Sequence, residues 1–284
     1  MSRVAYVNGR YVPHGQAAVH IDDRGYQFAD GVYEVTAVRN GKLVDNDWHM
    51  ERLARSLREL RIDAPMSDEA ISMVMAETAR RNGVKNGIVY LQITRGVARR
   101  DHPFPTGDIA PAIVMTAKNT PAPKAEVIEN GVKVVSVPDI RWARRDIKSI
   151  SLLPNCLAKQ AAKEIGAYEA WQVADDGHVT EGSSTNAWIV DRDGALITHP
   201  VEEQILNGIT RRRLIELAKS KGIKVEERYF TIDEAKQARE AFLTSTTSFV
   251  TAIVEIDGSV IGNGKPGSLS RDLRELYMEF ADAS

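Results

Sequence analysis

The stretch GVYEVTAVRNGK, residues 31–42, decides the fold class of this 284-residue chain. From Val32 to Val38 the side chains alternate between two faces with the period of two that is typical of a β-strand. Asn40-Gly41 is a dipeptide that favours a two-residue hairpin turn, and Asn8-Gly9 repeats it between two shorter strand-like stretches. The N-terminal part of the chain is therefore predicted to contain two β-hairpins.

Helical periodicity follows the second hairpin. Over residues 47–60 the apolar side chains recur at the spacing of one helix face, and Asp47 can cap the first turn. The same reasoning predicts further helices over 67–82, 154–165 and 210–221, and strands over 87–94, 112–117, 132–137, 169–173 and 186–190. This mixture of elements predicts a mixed α/β (α+β) fold.

The length of the chain indicates two domains, at roughly 150 residues for each. Residues 119–124 contain two prolines within three positions, a composition that favours an extended spacer over a packed element. We therefore predict a small N-terminal α/β domain over residues 1–118, an interdomain linker over 119–124 and a larger C-terminal domain over 125–284.

Charge and cysteine content exclude several classes of function. The chain has 37 basic and 39 acidic residues and a formal charge of −2, so the basic surface that nucleic-acid binding requires is not expected. Cys156 is the single cysteine, which excludes an internal disulfide and a cysteine-built metal site. No apolar stretch reaches the about 18 residues of a membrane span, and no signal peptide is evident. We expect a soluble, cytoplasmic protein without a metal.

Lys148 is the first candidate for chemistry. Period-two alternation over residues 144–151 places Asp146, Lys148 and Ile150 on one face of a predicted strand, which allows the lysine to point inward. In a partly desolvated site the charged form of an amine is disfavoured, and a neutral amine can form a Schiff base with an aldehyde. The alternative interpretation is a solvated lysine on an edge strand.

Glu181 opens a polar segment, EGSSTN, over residues 181–186. Its glycine permits close approach of the backbone, its hydroxyl and N–H groups can bind an anion, and the carboxylate can hold a protonated ring nitrogen. An ordinary turn leading into the strand at 186–190 explains the same composition equally well.

Further segments could bind anions. At residues 207–211, NGITR combines a glycine and a threonine at a predicted helix start, and TSTTS at 244–248 is rich in hydroxyls. Arg100 and His102, followed by stiffening prolines, could meet one carboxylate. As alternatives, the segment at 207–211 can be a plain helix cap, the segment at 244–248 a strand edge, and the loop with Arg100 and His102 a solvated basic loop. Taken alone, Arg52 is predicted to be a solvated arginine on a helix surface.

Taken together, the motifs resemble the class IV, pyridoxal-phosphate-dependent aminotransferases, and within them the D-amino-acid aminotransferases. The resemblance spans nearly the whole chain. The segments that carry it, in chain order, are residues 22–34 (DDRGYQFADGVYE), 49–53 (HMERL), 95–102 (RGVARRDH), 146–149 (DIKS), 181–186 (EGSSTN), 208–211 (GITR) and 244–248 (TSTTS).

This resemblance implies a role for each of the matching residues. Lys148 is similar to the lysine that holds pyridoxal phosphate as a Schiff base, and Glu181 to the carboxylate that faces the pyridine nitrogen. Leu206 resembles the residue that supports one face of the ring. The residues that resemble the phosphate cup are Arg52, Ile209, Thr210 and Thr246. The residues that resemble the site for the substrate α-carboxylate are Tyr33 and, from the neighbouring subunit, Arg100 and His102.

The resemblance also implies fold type IV, a homodimer whose sites are completed by the partner subunit, and a ping-pong transfer of the amino group from a D-amino acid such as D-alanine to 2-oxoglutarate or pyruvate. A branched-chain L-amino-acid aminotransferase, an aminodeoxychorismate lyase and a non-catalytic binding protein on the same scaffold are the alternatives. Asp101 adds a negative charge between Arg100 and His102, so we expect its carboxylate to be paired or to point away.

Overall fold

The computed structural model describes residues 3–283, which form two compact units. Unit 1 runs through Pro121 and also includes Ile147–Ser151, and unit 2 comprises Ala122–Asp146 and Leu152–Ala283. The change of unit at Pro121 lies inside the segment predicted as a linker. Residues 147–151, which the sequence prediction gave to the second domain, instead belong to unit 1, because Val32 forms a β-bridge with Ser149.

Unit 1 is built on a six-stranded antiparallel sheet in the order β2-β1-β6-β5-β3-β4. Its strands are β1 (Val4–Val7), β2 (Arg10–Pro13), β3 (Gly31–Arg39), β4 (Lys42–Leu43), β5 (Gly87–Thr94) and β6 (Ala112–Asn119). Both Asn-Gly dipeptides have positive φ, as a two-residue hairpin turn with the twist of its strands requires. The two predicted hairpins are therefore confirmed.

Three α-helices belong to unit 1: α1 (Arg24–Phe28), α2 (Asn46–Leu60) and α3 (Asp68–Arg81). Leu53 and Leu57 of α2 and Met75 of α3 lie in one hydrophobic core with the sheet residues Val32 and Leu91. The helix predicted over 47–60 is confirmed, but its capping residue is wrong. Asp45 is the N-cap, and Asp47 lies in the first turn, where a negative charge still favours the helix dipole.

Unit 2 contains a mixed nine-stranded sheet in the order β12-β11-β10-β13-β14-β7-β8-β9, with β15 paired to β14. Its strands are β7 (Val132–Pro138), β8 (Glu169–Val173), β9 (Val179–Gly182), β10 (Asn186–Val190), β11 (Leu196–Thr198), β12 (Val225–Glu227), β13 (Glu240–Ser245), β14 (Phe249–Ile256) and β15 (Ser259–Val260). The pairs β7–β8, β7–β14 and β11–β12 are parallel.

The helices of unit 2 are α4 (Ala125–Asn130), α5 (Leu153–Glu164), α6 (Ile209–Ser220), α7 (Ile232–Gln237) and α8 (Ser268–Ala283). Trp171, Phe230 and Leu243 are fully buried in one hydrophobic core. The predicted mixed α/β fold is thus confirmed. Across residues 3–283, every helix is too short or too polar to cross a membrane.

The strand predicted over residues 144–151 is wrong. Only the bridge at Ser149 has β geometry there, so the segment that carries Lys148 is an irregular connection. Asp146 and Ile147 are neighbours and both are buried, so burial in this segment does not alternate with the period of two. The side chains of this segment alternate in the sequence as in a strand, but contacts with distant residues determine its backbone conformation.

Candidate active site

Lys148 is anchored in unit 1 by its main chain. Its carbonyl oxygen accepts a hydrogen bond from the Tyr33 N–H at 3.0 Å, and its own N–H donates to Ser56 Oγ at 3.4 Å. The side chain is half-buried, and Nζ lies 4.2 Å from the centroid of the Tyr33 ring. The interpretation as a solvated edge-strand lysine is therefore wrong, because the amine is held against an aromatic face.

Tyr33 lies on one face of β3 and stacks on Tyr90 of β5, with ring centroids 5.8 Å apart. The Tyr90 hydroxyl donates to Gln92 Oε1 at 2.7 Å. Burial raises the pKa of Tyr90 to about 12, so its hydroxyl remains a hydrogen-bond donor at neutral pH. This pair of rings gives Lys148 a rigid support, and sequence reasoning had not identified Tyr90.

Glu34 lies on the opposite face of β3, as the period of two requires, and is fully buried. Arg52 of α2 binds it with two nitrogens, Nε at 2.8 Å and Nη2 at 2.7 Å, and His49 Nδ1 lies 2.7 Å from Oε2. Burial alone would raise the pKa of Glu34, but Arg52 and His49 lower it to about 2. The interpretation of Arg52 as a solvated surface arginine is wrong.

Sequence reasoning missed Glu34 and His49. His49 and Arg52 are three residues apart and so share a helix face with the buried Leu53, which was an available signal. Burial lowers the pKa of His49 although Glu34 opposes this effect. The geometry fixes the Arg52 guanidinium in a single orientation through a buried carboxylate.

We predict that acid destabilises the protein through Glu34. Its pKa falls from 4.5 when unperturbed to about 2 in the fold, so its stabilising contribution is full above pH 4.5 and is lost as the pH falls toward 2. The shift corresponds to about 3 kcal/mol. Urea unfolding at several pH values should show that the free energy of unfolding of the native protein falls as the pH falls below 4.5. The free energy of unfolding of Glu34→Gln should depend less steeply on pH. Equal slopes in the two proteins would contradict the prediction.

Arg100 and His102 are both exposed and approach the same ring, that of Phe28. The guanidinium carbon of Arg100 lies 5.1 Å from the ring centroid, and the His102 ring lies 5.6 Å from it. Asp101 Oδ1 accepts the His102 N–H at 2.8 Å, which is the pairing expected for this carboxylate. Unit 1 thus brings the two predicted carboxylate-binding side chains together.

Glu181 is the penultimate residue of β9 in unit 2 and is buried. Its carboxylate accepts hydrogen bonds from Arg141 Nη1, from Asn186 Nδ2 at 3.0 Å and from the Leu206 N–H at 3.2 Å. The same Arg141 binds both oxygens of Asp139, at 2.9 and 2.7 Å. Burial raises the pKa of Glu181 above its ordinary value, and Arg141 and the Leu206 N–H oppose this effect. A buried carboxylate with three donors shows that the segment is more than an ordinary turn.

Arg141 and Asp139 were not identified from the sequence, because both precede the segment 144–151 that was considered for Lys148. Burial alone would lower the pKa of Arg141, but the carboxylates of Glu181 and Asp139 raise it above its ordinary value. Thr180 Oγ1 also donates to Asp139 Oδ2 at 2.7 Å. The arginine is therefore a fixed positive charge behind Glu181.

Helix α6 begins at Ile209 with Gly208 as its N-cap, so the interpretation of Thr210 as the cap is wrong. The first intrahelical hydrogen bond runs from the Arg212 N–H to the Gly208 carbonyl. The N–H groups of Ile209 and Thr210 lie before it, in the first turn, where a helix offers no acceptor of its own. A Cβ on Gly208 would lie 2.1 Å from Asn186 Oδ1, so only glycine fits there. This end of the helix has the geometry and dipole of an anion site.

Asn186 links Glu181 to this helix. Its Nδ2 donates to Glu181 and also to the Leu206 carbonyl at 2.9 Å. Leu206 itself is half-buried. One amide side chain therefore fixes the distance between the buried carboxylate and the residues that lead into α6.

Thr246 lies in the turn between β13 and β14 and is half-buried. The turn is closed by the Ser248 N–H, which donates to Ser245 Oγ at 3.0 Å. The hydroxyl-rich segment is therefore a strand end followed by a tight turn, not a continuous strand edge. In the described part of the chain, no three His, Cys, Asp or Glu side chains form a group that could hold a metal ion.

Comparison with known proteins gives consistent results. Residues 31–256 match the family model described as amino-transferase class IV. The chain is 42% identical over 278 residues to a D-alanine aminotransferase of Staphylococcus aureus, with 98% of each chain covered. It is also 42% identical over 268 residues to that of Bacillus licheniformis, with 94% of this chain and 93% of the relative covered.

Solved structures with similar folds include branched-chain amino acid aminotransferases. The enzyme of Escherichia coli has a TM-score of 0.91 at 23% identity, covering 100% of this chain and 96% of that one. The enzyme of Thermoproteus uzoniensis, solved with norvaline, has a TM-score of 0.88 at 29% identity with the same coverage.

Proposed function

Because the chain belongs to the amino-transferase class IV family, we propose that it transfers the amino group of a D-amino acid, such as D-alanine, to a 2-oxo acid. Enzymes of this class depend on pyridoxal phosphate, so the chain is a pyridoxal-phosphate-dependent aminotransferase, and its fold is that of fold type IV. The observation that carries the choice of substrate is the full-length similarity to D-alanine aminotransferases, since the branched-chain enzymes are less similar in sequence.

The residues present fit pyridoxal phosphate by their chemistry. The cofactor has an aldehyde, a pyridine nitrogen and a phosphate, which require an amine, a carboxylate and a set of N–H, hydroxyl and cationic donors. The chain has such an amine in Lys148, which lies against the Tyr33 ring, and such a carboxylate in the buried Glu181. The helix end at Gly208, where a side chain would clash, supplies backbone donors for a phosphate.

We assign the remaining cofactor contacts on the same basis. Arg52 would hold the phosphate in the orientation that Glu34 imposes on its guanidinium. Leu206 would support one face of the ring. The other phosphate contacts are proposed for Ile209, Thr210 and Thr246.

Each of these residues then has a chemical task. When bound, the cofactor supplies an electrophilic carbon and an electron-withdrawing ring. Lys148 would hold that carbon through Nζ, and the same amine, when free, would move the proton at the substrate Cα. Glu181, hydrogen-bonded by Arg141, would hold a proton on the pyridine nitrogen and so stabilise the charge that develops in the transition state.

Tyr33, Arg100 and His102 are proposed to bind the substrate α-carboxylate, with the last two contributed by the neighbouring subunit of a homodimer. A complementation experiment tests this arrangement. In mixtures of Lys148→Ala and Arg100→Ala protomers, each mixed dimer would regain one unaltered site if the loop acts across subunits. Activity no greater than the sum of the separate variants would contradict the exchange. We also propose that the protein is located in the cytoplasm.

Substrate assays test the proposed function directly. D-Alanine and L-leucine are each incubated with the protein, pyridoxal phosphate and 2-oxoglutarate, and the 2-oxo acid products are measured. Turnover of D-alanine alone supports the proposal. Turnover of L-leucine alone would favour the branched-chain activity that the structural neighbours carry. Release of product from aminodeoxychorismate without an acceptor, in a separate incubation, would favour the lyase. Absence of any turnover in the cofactor-loaded protein would favour a binding protein.

Arg100→Ala should mainly raise the KM for the amino acid. The change removes a charge-assisted contact to the carboxylate, which costs about 1.5–3 kcal/mol, or roughly 10- to 150-fold in KM. Arg99→Ala is the matched control, since Arg99 is the exposed neighbour on the same loop. Steady-state kinetics on both variants decide the point, and an unchanged KM in Arg100→Ala would remove this residue from the site.

A further inference from the structure

The short helix α1 and the loop over residues 95–104 form one tightly bonded assembly in unit 1. The Arg24 N–H donates to the Gly96 carbonyl at 2.9 Å, and the Ala98 N–H donates to the Asp22 carbonyl at 3.3 Å. Asp23 caps α1 through the Gly25 N–H and also accepts from the Thr94 hydroxyl at 2.9 Å. The loop is therefore fastened to α1 by main-chain bonds on its N-terminal side.

Arg24 fastens the next part of the loop. Its side chain is almost fully buried, and Nη1 donates to the Asp101 carbonyl at 2.6 Å while Nη2 lies 3.4 Å from the His102 carbonyl. Asp30 holds the other side of the guanidinium, through Nε at 2.8 Å, and also binds Arg95. A buried arginine thus fixes the two peptides that follow Arg100.

Phe28 presents an aromatic face to the functional side chains of the loop. Its ring is approached by Arg24 at 4.7 Å, by Arg100 at 5.1 Å and by the His102 ring at 5.6 Å. A cation over an aromatic ring is attracted by the electrons of the ring face, and the ring also limits the rotamers of a long side chain. Two exposed side chains, Arg100 and His102, are in this way held beside a single half-buried ring.

We propose that Arg24 and Phe28 are positioning residues for recognition of the substrate carboxylate: they hold Arg100 and His102 in the arrangement that binds it. The inference rests on the proposed function, because it assumes that Arg100 and His102 meet the carboxylate. It goes beyond that function by assigning specific roles to two residues that would act through Arg100 and His102.

Phe28→Leu tests the ring face with little change in apolar volume. The KM for D-alanine should rise about two- to fivefold, which is the strength of an exposed cation–π contact, while kcat at saturation stays near the native value. Phe28→Tyr retains a π face and should restore the native KM. Tyr26→Leu is the matched control, since Tyr26 lies on the same helix and is 76% exposed. A native KM in Phe28→Leu would overturn the proposal for Phe28.

Arg24→Lys tests the hydrogen bonds from the Arg24 guanidinium to the loop carbonyls of Asp101 and His102. A lysine retains the charge near Asp30 but cannot offer the arginine fork to both loop carbonyls, so KM should rise about tenfold with kcat and cofactor loading retained. A parallel fall in kcat and cofactor content would indicate a purely structural role and would overturn the assignment of Arg24. Thermal unfolding of each variant checks that the fold is intact.

A mutant cycle separates this inference from the function on which it rests. In an Arg100→Ala/His102→Ala background, Phe28→Leu should have no further effect on KM, because the groups that it positions are gone. A further rise would show that Phe28 acts by another route and would overturn the proposal. If Arg100→Ala and His102→Ala leave KM unchanged, the carboxylate assignment itself fails. If they raise KM but Phe28→Leu and Arg24→Lys do not, only the positioning inference fails.

Discussion

Lys148→Ala should abolish steady-state transamination, with kcat reduced by about four orders of magnitude or more, while the fold is retained. The change removes in one step the nucleophile that binds the cofactor and the base that moves the proton. The fold should survive because the bonds that anchor this segment, to the Tyr33 N–H and Ser56, involve main-chain atoms of Lys148. Formation of 2-oxo acid from D-alanine measures the loss.

Two further measurements make this prediction specific. Lys219→Ala, at an exposed lysine on α6, should keep native kinetics. Borohydride reduction of the cofactor-loaded native protein, followed by digestion and mass spectrometry, should place the phosphopyridoxyl group on the peptide that contains Lys148. Near-native turnover of Lys148→Ala, or a label on a different lysine, would overturn the assignment.

Glu181→Gln should lower kcat by about 10²- to 10³-fold. The amide has almost the shape of the carboxylate but no negative charge, so it cannot hold a proton on the pyridine nitrogen, and electrostatic stabilisation of this kind is worth about that factor. The change also leaves Arg141 with Asp139 as its remaining carboxylate partner in this cluster. Rates with D-alanine at saturating cofactor separate the chemical effect from weaker cofactor binding.

The matched control for this variant is Glu279→Gln, at an exposed position of α8. It should keep the native rate. A native rate in Glu181→Gln would show that this carboxylate does not act on the ring nitrogen, and the assignment of unit 2 residues to the cofactor would have to be revised.

Most of the secondary structure was predictable because it is encoded by local spacing. The strands at 169–173 and 186–190 have the predicted bounds, and the Asn-Gly turns lie at both predicted hairpins. The helix predicted over 210–221 is shifted by one residue, since Gly208 caps it without a side-chain bond. Caps and ends depend on single hydrogen bonds, so they are harder to predict than periodic segments.

The segment at Lys148 could not be predicted from its pattern. Its residues alternate like a strand, yet a main-chain bond to Tyr33 and a bridge to Val32 determine its path. The partners are more than a hundred residues away in the chain. A pattern of period two cannot specify whether such a distant neighbour pairs with one residue or with a whole strand.

In the candidate site, too, some features were predictable from the sequence and others were not. Motif order identified the family, which the family model and the full-length relatives confirm. The roles of the individual site residues stay predictions. The charged groups beside them, Glu34 next to Arg52 and Asp139 next to Arg141, were not found from the sequence. The residue types of an ion pair do not show whether the pair is buried or lies on the surface.

The amino-acid sequence by itself determined where strands, helices and turns form and which family the chain belongs to, because spacing, turn residues and motif order act over short ranges or through descent. Only the tertiary structure decided which charges are buried together and what each one orients. Burial removes water from Glu34 and Arg141, and a charge without water must find a partner in the fold, whatever its distance along the chain.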